Sequence, residues 1–251
     1  MFMKIAHISS MLLSVALLSS GCDSKKPESS APPPASTGLA TTAAPAAKNS
    51  AVAAPGAAQK SFPAPNNFDL VPLAVGQWIR LQVSVEGQAP TQTFIRIVGK
   101  EGNAFWCEVE QGGPSGGTVM QFLMDEASRN DFKPNSIKRL KLKTPNGVQE
   151  LSGVALSASS ALTEKYISLI GKPKLDKAER GDATVGAGEF KGCYLHEYEQ
   201  KILGVSMKIK AWNHPAVPIN GFVRSEGTAN GAKTTTELME MHMEGAKSAM
   251  P

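Results

Sequence analysis

Between residues 78 and 110 the chain repeatedly alternates apolar and polar side chains. Ile79, Leu81, Val83 and Val85 fall on one side of an extended backbone, and Arg80, Gln82, Ser84 and Glu86 on the other. That period of two is the signature of a half-buried β-strand. Residues 91–98 are rich in β-branched types, and 104–110 alternate again, with Phe105, Cys107 and Val109 opposite Trp106, Glu108 and Glu110. Similar short runs follow at 118–124, 136–143, 148–151, 190–200, 206–212, 221–226 and 234–243. Pro145-Asn146-Gly147 separates two of them, and Asn-Gly accepts the positive φ of a tight hairpin. One stretch has helical spacing instead. After a cap at Ser159 or Ser160, Leu162, Tyr166, Leu169 and Ile170 share a face, and Gly171 and Pro173 end it. The pattern predicts a mainly β (α+β) domain, a curved antiparallel sheet of about eight to ten strands with one main helix on one face.

The first residues follow another rule. Lys4 precedes a mostly apolar, uncharged run over 5–18, and Ser19-Ser20-Gly21 supplies small residues before Cys22. The run is too short to cross a bilayer of about 30 Å, and its small-residue exit marks a cleaved signal peptide. Leu18-Ser19-Ser20-Gly21-Cys22 resembles the lipobox of bacterial lipoproteins, departing from it by Ser19 where the family prefers Leu. The resemblance implies cleavage before Cys22, acylation of that cysteine, and an envelope protein held to a membrane by lipid with its domain outside the cytoplasm. Two or more acyl chains hold stably where one does not. Asp23 resembles the inner-membrane retention signal of enterobacterial lipoproteins, which tilts the expectation towards the inner membrane.

Composition then divides the chain into a signal peptide at 1–21, the lipidated cysteine with a linker at 22–66, and one β domain at 67–251. Of the 44 residues at 23–66, 13 are Ala and 8 are Pro, and the large apolar residues are Leu39, Val52 and Phe62 alone. Such a stretch buries too little to offset its chain entropy, so a disordered linker is expected, spanning roughly 40 Å as a flexible coil. The net charge of +4 with no basic block points away from nucleic acid.

In the C-terminal half, Thr184-Val185-Gly186-Ala187-Gly188-Glu189-Phe190-Lys191 precedes a strand. Lys210-Ala211-Trp212, Val217-Pro218-Ile219-Asn220-Gly221-Phe222-Val223 and Thr236-Glu237-Leu238 follow. This order, over 184–245, resembles uncharacterised periplasmic proteins whose curved sheet is similar to outer-membrane lipoprotein carriers and receptors. The resemblance implies a concave face able to hold acyl chains.

Chemistry is scarce. Gly113-Pro114-Ser115-Gly116-Gly117 matches G-x-S-x-G, but the hydrolase elbow needs a strand, a turn and then a helix, and a strand follows here. His196, His214 and His242, even with Cys193 and Glu197 nearby, show no zinc-ligand spacing. Glu197 and Glu199 share a strand face and read as solvated. No catalytic residue, metal or cofactor is expected. Met239, Met241 and Met243 alternate along one strand; they read first as core, and otherwise as a soft lining for an apolar ligand. With Cys22 lipidated, Cys107 and Cys193 remain in an oxidising compartment. A bridge between them closes 87 residues, stabilising by about 4–5 kcal/mol; two separate buried thiols are the alternative. The function expected is a non-catalytic binding module for a lipid or other hydrophobic ligand, with a docking lipoprotein that holds an envelope protein as the alternative.

Overall fold

Alternation in the sequence becomes register in the sheet. The computed structural model describes residues 60–112, 117–130, 136–144, 146–158, 169–173, 175, 178–202, 205–229 and 231–251. Its strands are β1 (Ser61–Phe62), β2 (Trp78–Val85), β3 (Thr91–Glu101), β4 (Ala104–Gly112), β5 (Thr118–Asp125), β6 (Ile137–Thr144), β7 (Gly147–Ser152), β8 (Glu179–Val185), β9 (Gly188–Ile202), β10 (Val205–Asn213), β11 (Phe222–Ala229) and β12 (Ala232–His242). All twelve join one open sheet in the order β1-β9-β10-β11-β12-β2-β3-β4-β5-β6-β7, with β8 also paired to β9.

Pairing sets Met241, Ile79, Ile95, Val109, Met120 and Leu142 side by side across six strands. The next inward row is Ile97, Cys107, Phe122, Leu140 and Leu151. Most of these side chains are fully buried, and such cross-strand neighbours are the stabilising unit of a sheet. They form the inner face and the main core. Leu73, Leu156, Ile170, Val217 and Ile219 cover it from loops and from a short helix, α1 (Gly153–Ala158).

Two parts of the expected fold are corrected. The sheet has twelve strands and is mixed, because β1 pairs parallel to β9. And no main helix is present: among the described residues no helix reaches seven residues, only the six-residue α1 and a four-residue 3-10 turn at Glu126–Arg129. Leu162 and Tyr166 lie outside the described residues, while Leu169 and Ile170 sit in a turn. The physical reason is that a short apolar stretch needs only to reach the core. Ile170 does so from an irregular segment held by the Lys172 N–H donating to the Arg129 carbonyl at 2.8 Å, and a short helix has little stability of its own.

The sheet also begins inside the segment whose composition reads as linker. Phe62 stacks on Phe190 with ring centroids 4.5 Å apart, and the Glu189 N–H donates to the Lys60 carbonyl at 2.8 Å. Gly188 is required there: its φ is +145°, and a Cβ would collide with that carbonyl. Further along, the His214 ring lies 3.0 Å through Nε2 from the Pro63 carbonyl and accepts at Nδ1 from the Ala216 N–H, so its proton sits on Nε2. Burial, which the Pro63 contact only partly offsets, holds His214 below the usual histidine range.

The outer face carries a polar row, Trp78, Arg96, Glu108, Gln121 and Lys141. Glu108 is fully buried because residues 248–250 lie over it. Its carboxylate accepts from Arg96 at 2.8 Å, Gln121 at 3.0 Å, the Ser248 hydroxyl at 2.8 Å and the Ala249 N–H at 3.0 Å. Burial alone pushes the carboxyl up; these hydrogen bonds outweigh it and hold Glu108 below its ordinary value. Its stabilisation is therefore complete above the unfolded value of 4.5 and disappears as pH falls through the lower folded value. Glu108→Gln should cost about 3 kcal/mol at pH 7, as removing one partner of a buried ion pair does. In urea unfolding the gap between variant and parent should hold from pH 8 to 6 and narrow below pH 4; a gap that does not change with pH would refute the assignment.

Candidate functional site

Strands β9 to β12 alternate between charged and uncharged side chains. The charged positions are Glu197 and Glu199, Lys208 and Lys210, Arg224 and Glu226, Lys233 and Glu237. Between them stand His196 and Tyr198, Met207 and Ile209, Ser225 and Gly227, Thr234 and Thr236. Pairing keeps the two sets apart: Tyr198, Ile209, Gly227 and Thr234 form one row, and Ala211, Ser225 and Thr236 the next. Thr236 is two residues from Leu238, which is buried opposite Leu81, so the uncharged rows belong to the inner face. Glu197, Lys210 and Glu226 form a row of the other face.

Two hollows lie at this end of the sheet. The smaller, about 180 Å³, is bordered by Leu81, Leu169, Met207, Ile209 and Phe222 with Tyr198, Ser225, Thr234 and Thr236. Among the described residues no charged side chain borders it. The larger, about 700 Å³, is more open and takes in the charged side chains of Glu197, Glu199, Lys208, Lys210, Glu226 and Lys233.

The connection from β10 to β11 bounds the smaller hollow through Asn220. Asn220 donates to the Leu169 carbonyl at 2.7 Å and accepts from the Phe222 N–H at 3.0 Å. Ile219 beside it is fully buried with φ +70°, a conformation that is strained for a β-branched residue. Arg129, almost fully buried, donates to the Val71 and Ile219 carbonyls at 3.0 and 3.2 Å. One guanidinium thus ties two loops over the core. His196, near the hollow, receives a contact from Asn213 at 3.2 Å and stacks on Tyr198; burial holds it below the usual histidine range, which leaves it uncharged at neutral pH.

The methionines singled out from the sequence do not border this hollow. Met241 packs against the core opposite Ile79, Met239 lies against Gly186 at a register shift, and Met243 is exposed. The shift between Leu238 and Glu240 breaks the alternation that put the three on one face. Glu197 and Glu199 are exposed. His242 stacks on Trp78 at 4.4 Å, His214 serves the Pro63 contact, and among the described residues no group of three His, Cys, Asp or Glu is placed to hold a metal. Cys22 and Ser115 lie outside the described residues. Reasoning from the sequence missed Tyr198, Ser225, Thr234 and Thr236; the signal was the absence of charge at every second position of β9 to β12.

No family model matches the chain, and no curated protein matches it. Among solved structures it is similar to a protein described as exported, with a YmcC-like fold, from Bacteroides fragilis (12% identity, 69% of this chain and 98% of that one, TM-score 0.36). It is also similar to LprF from Mycobacterium bovis (9% identity, 70% of this chain and 88% of that one, TM-score 0.32). At these scores neither likeness bears on what this chain does.

Cys107 and Cys193 are both free and buried in this structure, on strands β4 and β9 that five others separate along the sheet. Burial pushes each thiol up to about 12, far from the thiolate form that reacts. In the full chain carrying Cys22→Ser, neither thiol should react with a disulfide reagent at pH 8 while folded, and two should react after denaturation without reductant. Zero reactive thiols after denaturation would mean that a bridge joins them.

Proposed function

We propose that this chain is a lipoprotein of the bacterial envelope, held by acyl chains on Cys22, whose β domain is a non-catalytic binding module for a lipid or another hydrophobic ligand. The observation that carries the reading is the smaller hollow. It opens on the inner face, where Leu81, Leu169, Met207, Ile209 and Phe222 offer apolar surface and no charge intrudes among the described residues. Ligand pockets are mostly apolar and have a few placed polar groups, and this one has that make-up. A linker between the anchor and the sheet gives the domain reach from the membrane.

Docking of an envelope protein is the second reading. The larger hollow favours it, since mixed lysines and glutamates around an open depression suit a partner surface of complementary charge better than an acyl chain.

The test is native mass spectrometry of the chain purified from the membrane of a bacterium that processes it. A lipid that stays bound to the folded domain after the detergent is removed supports the module; a bare domain with a stoichiometric protein partner favours docking. The same sample should show the N-terminus at Cys22 with its acyl mass, and Cys22→Ser should leave the chain without it. An acyl mass retained on the serine variant would refute the anchor.

A further inference from the structure

Among the described residues, the four hydroxyl-bearing side chains that border the smaller hollow show no hydrogen-bond partner. The hydroxyls are those of Tyr198, Ser225, Thr234 and Thr236, and all four side chains border the same space. The two amide groups nearby are in use: Asn220 spans Leu169 and Phe222, and Asn213 faces His196. The charged groups of these strands alternate to the other face, and Arg129, the buried cation of the core, is committed to two backbone carbonyls and to Glu126 at 3.6 Å.

We infer that the ligand of this hollow is an uncharged amphiphile with a hydroxyl-bearing head, such as a glycerol monoester, and not an anionic one such as a free fatty acid. This rests on the binding-module reading above and adds the class of head group. A hydroxyl is both donor and acceptor, so four of them match a polyol, whose own hydroxyls are also both. A carboxylate brought to the same place loses water and meets no cation, and burying an unpaired charge costs far more than burying a hydrogen-bonded hydroxyl. The size of the hollow matches a head alone. About 180 Å³ is the liquid volume of about six waters, room for a head of that many heavy atoms but not for the acyl tail as well, which must lie outside this hollow.

The experiment uses the full chain with Cys22→Ser, stripped of lipid, and two fluorescent probes of equal chain length, a monoacylglycerol and a fatty acid, at pH 7.5. The monoacylglycerol should bind at least tenfold more tightly. Thr234→Val with Thr236→Val, which keeps side-chain shape and strand propensity, should weaken the monoacylglycerol by about tenfold and leave the fatty acid unchanged. Unfolding of the variant is monitored by circular dichroism, and Ser225→Ala serves as a second variant expected to act in the same direction. Equal or tighter binding of the fatty acid overturns the head-group inference and leaves the binding module standing. If neither probe binds, both fall.

Discussion

A single constraint organises this chain: side chains on paired strands stand opposite one another, and a shift of one residue sends every one of them to the other face. The row from Met241 through Ile79, Ile95, Val109 and Met120 to Leu142 is the expression of that constraint. While it points inward, the row of Trp78, Arg96, Glu108, Gln121 and Lys141 must point outward. The register therefore fixes where the polar network of Glu108 forms, and with it the place where residues 248–250 lie down. At the other half of the sheet the same rule sorts lysines and glutamates from threonines and tyrosine, so the uncharged hollow and the charged one are consequences of one pairing scheme.

What the sequence made legible follows from that period. Strands such as β2 and β3 announce themselves by alternation, because each has a buried face opposite a more accessible one, whereas β4 and β5 are buried on both faces over most of their length. β1 gives no such signal: two residues carry no period, and Phe62 enters the sheet through a ring stack with Phe190, a contact 128 residues away in the chain. β8 was hidden for a related reason. Its sequence Glu-Arg-Gly-Asp-Ala-Thr-Val buries only Ala183 and Val185, too little to stand out from a loop. The helical spacing ending at Ile170 misled because three- and four-residue intervals also arise by chance; of its apolar members Leu169 and Ile170 are among the described residues, and both sit in a turn.

The candidate site was harder to see than the fold. Met239, Met241 and Met243 drew attention as large apolar residues at a regular spacing, yet the register shift after Leu238 divides them between core, loop contact and solvent. A bulge of this kind leaves no mark in composition. The residues that do border the hollow are threonines, a serine and a tyrosine, ordinary members of any strand, and their meaning comes from what is missing beside them. Only when four strands are laid in register does the lack of charge become a property of a surface.

The fastening at Lys60 to Pro65 has a mechanical consequence. Any pull passed along the chain from its N-terminal side enters the sheet at Lys60, on a two-residue strand lying parallel to β9. The ladder there is short, but Phe62 is wedged against Phe190 and His214, and the Pro63 and Pro65 carbonyls are gripped by His214 and Arg180. Load is thus spread over side chains from three separate elements before it reaches the long β9–β10 ladder, which places a strain relief at the edge of the sheet.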